Sequence, residues 1–268
     1  MIRSNLDKNE FSPTGLEDYM ICPRRFYIKK LLHKEGRIVN AAKVFGQSFH
    51  TGVAAYYRTM QIPEDFRAAK VNAVNAFANH WTENCGNSRD ETRNLPGGIL
   101  LIEKYCENYK SDPKTFDPKY VEVAQKYPMP NGTFLVFIID RIWEEPGIHI
   151  LVDTKTTSKA LSDWFWNNYE NSFQLSAYAY ICESIFGSCQ GIMVDAIQVP
   201  YKGTNSFARR TWTLTEQQRQ DFRLTYENLT ATILEAKQDP QNFPCHPTGC
   251  GSFGGCPFLP LCKYGLDY

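Results

Sequence analysis

"VFIIDRIWEEPGIHILVDTKTT" runs from Val136 to Thr157. Two apolar runs, each ending in an aspartate, flank a Pro146-Gly147 turn signal. The pattern predicts two antiparallel strands that set Asp140 near the far end of the strand carrying Asp153. Side chains alternate across a strand, so Asp153 and Lys155 share a face. An ion pair at a sheet edge would account for these two charges alone. With Asp140 added, two carboxylates and nearby carbonyl groups form a hard, oxygen-rich site suited to Mg2+ or Mn2+. A lysine beside such a site can orient water and stabilise charge on a phosphate.

Outward from this stretch the chain changes character. "FSPTGLEDYM" (11–20) opens with Ser12-Pro13, a helix start, and Cys22-Pro23 follows. Helical periodicity recurs over 41–60, 64–82 and 97–110, so the first 115 residues are expected to be mainly helical. Strand-like runs occupy 119–129, 132–145 and 147–157. "SFQLSAYAYICESIF" (172–186) returns to helix. "GIMVDAIQVPYKG" and "FARRTWTLT" read as a hairpin around "KGTN" (202–205), and 216–239 as a long amphipathic helix. After Asn242 the chain is rich in Gly, Pro and Cys and is expected to be irregular.

Composition sets bounds. The 268 residues carry 29 Lys plus Arg and 29 Asp plus Glu, so any basic surface for a nucleic-acid partner must be local. Hydrophobic residues make up 43%, enough for a sizeable core. No apolar run is long enough to span a bilayer, and "MIRSNLDKNE" lacks a secretory h-region. The expectation is a cytoplasmic protein, in a cell or a phage-infected host, with no membrane partner. Of nine cysteines, Cys245, Cys250, Cys256 and Cys262 lie near the C-terminus. In a reducing compartment such a group points to a metal or iron–sulfur site rather than disulfides. Cys85, Cys106, Cys182 and Cys189 read as small apolar residues.

Two helical motifs complete the set. "FGQSFH" puts Gly46 and His50 at i and i+4, so His50 can offer an imidazole to the metal site. "FQLSAYAY" puts Gln174 and Tyr178 on one helical face. Taken singly, each reads better as ordinary structure: a structural helical histidine, and an amphipathic helix with Gln174 exposed.

In chain order, "ICPRRF", "GQSFH", "IIDR", "VDTKTT", "QLSAY" and the C-terminal cysteines resemble the RecB-like branch of the PD-(D/E)XK nucleases. That branch includes the nuclease domains of RecB and AddB, CRISPR-associated exonucleases and phage-encoded relatives. The resemblance spans Ser12 to Cys262. It implies a single α/β domain over residues 1–268 with a restriction-endonuclease-like core and a mixed sheet. Within it, 1–115 would be the helical region, 116–241 the nuclease core, and 242–268 a cysteine-rich iron–sulfur tail closing on Cys22. His50, Asp140 and Asp153 would bind Mg2+ or Mn2+. Asp140, Asp153 and Lys155 would form the catalytic set, and Gln174 and Tyr178 would contact DNA. The implied activity is a deoxyribonuclease, an exonuclease at DNA ends, in recombination, repair or phage DNA processing, with a helicase or recombination protein as partner. The rival is an inactive DNA-binding or scaffold subunit with a structural metal cluster. Asp153 stands where many relatives have Glu. Glu122, on the preceding strand, could lie near the site but is assigned no ligand role.

In iron–sulfur members of the branch, one early and three late cysteines hold a 4Fe–4S cluster. By that resemblance Cys22, Cys250, Cys256 and Cys262 are the ligands, the late three separated by five residues each. Cys245 or His246 is the alternative to Cys250. Four thiolates suit zinc as well as a cluster, so spacing leaves the metal open and the resemblance selects iron.

Overall fold

The computed structural model describes residues 6–34, 40–60, 65–85, 90–112, 121–145, 147–237 and 239–265. Pro146 of the predicted turn, residue 64 of a predicted helix and residues 119–120 of a predicted strand lie outside these. The elements are β1 (Glu10–Phe11), α1 (Pro13–Ile21), α2 (Pro23–Phe26), α3 (Ala41–Met60), α4 (Phe66–Cys85), α5 (Leu95–Asn108), β2 (Val123–Pro128), β3 (Phe134–Ile139), β4 (Arg141–Glu145), β5 (Ile148–Thr157), α6 (Asp163–Glu170), α7 (Phe173–Phe186), β6 (Gly191–Gln198), β7 (Phe207–Trp212), α8 (Glu216–Ala236) and α9 (Leu259–Tyr264). They fall into two compact units, residues 1–38, 124–138 and 215–268 in the first, 39–123 and 139–214 in the second.

The first unit holds a three-stranded sheet in the order β1-β3-β2, with β1 parallel to β3. α8 starts with a capping box between Thr215 and Gln218 and buries Phe222, Tyr226, Thr230 and Ile233. The Tyr226 hydroxyl meets Thr133 Oγ1 at 2.9 Å, and Asn131 donates to Thr230 Oγ1 at 2.9 Å. Buried hydroxyls are thus matched rather than left to a desolvation cost. α1 starts where Ser12 accepts from the Gly15 N–H, with Pro13 in its first turn.

The second unit holds the mixed sheet, in the order β4-β5-β6-β7. β4 and β5 are antiparallel, β5 and β6 parallel, β6 and β7 antiparallel. β6 is buried along its whole length, as expected for a strand covered on both faces. α3, α4 and α5 build an aromatic core from Phe45, Phe49, Tyr56, Phe77, Trp81 and Tyr105, joined by Val152 of β5 and Ile197 of β6.

Three details differ from the sequence expectation. The run 132–145 is two strands, because Asp140 ends β3 in one sheet and β4 begins in the other. α6 was not expected; it is one short helix of eight residues with bulky aromatics and no side-chain cap. The tail after Asn242 is not wholly irregular, since α9 and short 3-10 turns punctuate it.

Candidate active site

The site grows from β5. Its apolar start, Leu151 and Val152, is buried between β4 and β6, and Asp153 is only 2% exposed. The Asp153–Lys155 pair therefore sits on an inner strand, not at a sheet edge. Arg141 pairs with Val152, so Asp140 reaches the level of Asp153 just before β4 begins. The Thr154 N–H donates to Asp140 Oδ2 at 2.7 Å and fixes that carboxylate against β5. α3 supplies His50, whose Nδ1 lies 3.2 Å from the same Asp140 oxygen. One turn earlier on α3, Gly46 lets the helix approach β5; a Cβ there would stand 3.1 Å from Thr156 Oγ1.

On the other side Lys155 Nζ is 2.8 Å from Asp153 Oδ2 and donates to Gln174 Oε1 at 2.9 Å. Gln174 Nε2 donates to the Tyr178 hydroxyl at 2.9 Å along α7. His50, Asp140, Asp153, Lys155, Gln174 and Tyr178 thus meet within the second unit, linked through Thr154.

Charge is unevenly shared. Burial pushes the Asp153 carboxyl up; Lys155 opposes this, and the Asp140 charge adds to it. Burial also acts to raise Asp140, but the His50 charge and the hydrogen bonds from His50 and Thr154 outweigh it, holding Asp140 down at about 2. Burial acts to lower Lys155, yet Asp153 beside it carries the ammonium above its ordinary value. His50 is raised, because Asp140 overcomes the desolvation that would lower it. Two carboxylates so close cannot ionise equally, and their environments push them apart.

One further residue stands near the site as its strand position suggested, and one network escaped the sequence. Glu122 lines the same pocket as His50, Asp140 and Thr154. Its N–H donates to the Asp140 carbonyl at 2.9 Å from a left-handed backbone with φ of 49°, and burial followed by the Asp140 charge raises its carboxyl. No spacing connects it to Asp140 in sequence. Behind the site, Arg141 donates to Thr154 Oγ1 at 2.7 Å and to Tyr105 at 3.2 Å, and pairs with Asp195. Arg209, Asp112 and Tyr57 complete this buried network.

The donor set of two carboxylates and an imidazole suits a hard divalent cation. Among the described residues, however, no three His, Cys, Asp or Glu stand as a ready metal cage. Asp140 is engaged by His50 and Thr154, and Asp153 by Lys155.

The cysteines meet in the first unit. Cys22, Cys245, Cys250, Cys256 and Cys262 line one pocket with Arg24 and Arg25. The His246 N–H donates to Cys22 Sγ at 3.3 Å, and Cys245 interacts with Cys262 and Cys250. The tail docks through Phe243, which stacks on Tyr27 at 5.1 Å and accepts from Arg24 Nε at 2.6 Å. Gly249 packs so tightly on the end of α1 that a Cβ would fall 2.7 Å from the Ile21 carbonyl. The nine cysteines form no disulfide.

Comparisons with known proteins bear on the fold and the family. A crystal structure of a candidate exonuclease from Eubacterium rectale is similar, with a TM-score of 0.55 and 14% identity over 86% of this chain and 82% of that one. The fold alone is shared at that identity. The solved protein SSO0001 gives a TM-score of 0.46 and 13% identity over 98% of this chain and 89% of that one, and nothing is drawn from it. No protein of curated function matches the sequence. The sequence profile of the PD-(D/E)XK nuclease superfamily matches residues 10–263, and with a match over nearly its whole length the chain belongs to that superfamily.

Proposed function

We propose that the protein is a divalent-metal-dependent deoxyribonuclease that hydrolyses phosphodiester bonds at DNA ends, working as one nuclease domain over residues 1–268. The observation that carries this reading is the meeting of His50–Asp140 and Asp153–Lys155 on adjoining elements. In this reading His50, Asp140 and Asp153 hold Mg2+ or Mn2+. When bound, the cation supplies Lewis-acid polarisation of the phosphate and a water of lowered pKa. Lys155 stays protonated near neutral pH, because Asp153 raises it. Its ammonium faces the charge that grows on the phosphate in the transition state. Gln174 holds that ammonium in place, and Tyr178 holds Gln174. Gln174 and Tyr178 are also the DNA contacts of this reading.

In the same reading a structural 4Fe–4S cluster would be held by Cys22, Cys250, Cys256 and Cys262. Five thiols around one pocket match the donor chemistry that such a cluster needs. Cys245 is the exposed member and is left out of the ligand set. A reducing, cytoplasmic compartment and a separate helicase or recombination partner follow from the same reading. Among the described residues no helix is long and apolar enough to cross a membrane.

The test is a time course on end-labelled single- and double-stranded DNA with Mg2+, with Mn2+ and with EDTA. Loss of the terminal nucleotides that requires the cation supports the reading. Cation-dependent cutting of a covalently closed circle at the same rate would replace the exonuclease by an endonuclease. No cleavage of any DNA, by protein that still binds it, would favour the inactive DNA-binding subunit.

A further inference from the structure

The surface beyond the end of β5 carries aromatic and cationic side chains in contact. Trp164, the second residue of α6, is 60% exposed. Lys159 Nζ lies 4.1 Å from the centre of its ring. A single exposed apolar residue needs no explanation. Trp164 differs in its company. Arg210 of β7 lies over Trp166 at 5.1 Å and pairs with Asp163 at 3.3 Å, with 43% of the Arg210 side chain exposed. Trp166 in turn packs on Trp212 at 5.9 Å and on Phe165 at 5.0 Å. α6 is thus anchored at Trp166, two residues beyond the exposed indole, and Lys159 is the cation that lies over the indole itself.

The position follows β5 along the chain, just beyond the strand that carries Asp153 and Lys155. Lys159 follows Lys155 by four residues, a reach of at most about 14 Å of extended chain. Gln198 of β6 donates to the Lys159 carbonyl at 3.2 Å, which ties this segment to the sheet that carries Asp153. The far end of α6 brings Tyr169, half-buried, into the electrostatic range of Lys155 and Asp153. α6 thus carries the exposed indole in its first turn and, near its end, a tyrosine that feels the charges of Lys155 and Asp153.

We propose that Trp164 and Lys159 form a stacking site for one base of single-stranded nucleic acid and lead the strand toward Lys155. An aromatic face takes any base, and an adjacent cation meets the backbone phosphate; together they give the sequence-tolerant binding of single strands. A base inside a duplex is already stacked on its neighbours, so the site discriminates against double strands. The proposal names the substrate class of the site read above as a nuclease, and rests on that reading for its direction toward Lys155.

The test is binding of a fluorescent oligothymidylate by the full chain in EDTA, where cation-dependent cleavage is stopped. Trp164→Ala should weaken binding by between about 5-fold and about 150-fold, the range for losing one base–aromatic stack. Trp164→Phe should recover most of it. An oligonucleotide of abasic sugars should bind wild type and Trp164→Ala alike, because it has no base to stack. Lys159→Ala should lower the salt slope by about 0.7, one phosphate's share for a single strand. Trp164 is exposed, so the melting temperature of its variants should stay near wild type. Equal binding of oligothymidylate by wild type and Trp164→Ala overturns the proposal. So does an equal loss with blunt duplex, or an absence of single-strand binding by wild type. Cleavage is read separately with Mg2+ or Mn2+ on the same oligonucleotide. Stacking without cleavage would sink the nuclease reading alone, and cleavage without a Trp164 effect would sink the stacking site alone.

Discussion

The Arg141 guanidinium donates to the Thr154 hydroxyl at 2.7 Å, so the residues that directly follow Asp140 and Asp153 hold each other. The Thr154 N–H meanwhile holds Asp140 at 2.7 Å. The two carboxylates are spaced by this link, and the link is anchored in turn by Asp195 and Tyr105. Thr154→Val keeps the shape and the N–H but removes the acceptor. A buried guanidinium donor then goes unmatched, which costs about 1–3 kcal/mol. Denaturant unfolding should show that loss. DNA cleavage should fall by more than the unfolded fraction explains, because the carboxylates lose their spacing. Wild-type cleavage by folded Thr154→Val would separate the network from the reaction.

Lys155→Ala should abolish cleavage while the protein stays folded and binds DNA. Its ammonium acts on charge that develops in the transition state, so the rate constant falls more than substrate affinity. Asp153→Ala should abolish cleavage and also weaken Mn2+ binding, followed by the paramagnetic signal of the free ion. Unchanged Mn2+ binding by folded Asp153→Ala would remove Asp153 from the metal site.

Asp195 makes acid stability legible. Burial would raise its carboxyl, but Arg209 and Arg141 hold it below the ordinary value of 3.8. A carboxyl lowered in the folded state stabilises above its unfolded pKa, and that contribution fades as pH falls through the folded value. Asp195→Asn leaves two buried guanidinium groups short of a counter-charge, which costs about 3–5 kcal/mol at neutral pH. The gap from wild type should hold from pH 7 down to about pH 4 and narrow below it. Thermal unfolding across pH 2–7 measures both curves. A gap that stays constant to pH 2 would mean that the charge is not what stabilises the network.

What the sequence made legible, and what it hid, follows from range. The β4–β5 pair rests on local alternation and a turn, and the antiparallel pairing it suggested is found, with Arg141 opposite Val152. Gln174 and Tyr178 lie four apart on one helix, a spacing that local periodicity encodes. The meeting of His50 with Asp140 is not local, and only the order of the motifs suggested it. Asp195 was hidden because its partners lie far along the chain and no periodic pattern marks it, whereas Glu122 was legible only as a neighbour on the preceding strand. α6 was hidden for another reason: eight residues rich in aromatics and asparagine are too few to show a clear helical period, and the helix rests on burying Phe165 and Trp166.

The cysteine pocket yields the last prediction. Cys22 ends α1, and its sulfur accepts from the His246 N–H at 3.3 Å, so the thiol near the N-terminus already touches the tail. If Cys22, Cys250, Cys256 and Cys262 share a cluster, it closes a chain loop of more than two hundred residues. Closing a long loop removes unfolded-state entropy, although the gain rises slowly with length. The docking of Phe243 on Tyr27 and the fit of Gly249 against Ile21 hold the tail in part without metal. Cys22→Ala purified without oxygen should therefore lose the brown colour and the iron, melt lower, and be cut by protease near the C-terminus, yet remain folded elsewhere. Cys245→Ala should keep its iron, since Cys245 is the exposed thiol of the five. Iron per chain and melting temperature, measured for Cys22→Ala, Cys245→Ala and Cys250→Ala, check the ligand set. Iron retained by Cys250→Ala and lost by Cys245→Ala would exchange those two ligands. A colourless wild type with one zinc per chain would replace the cluster with a tetrahedral zinc site.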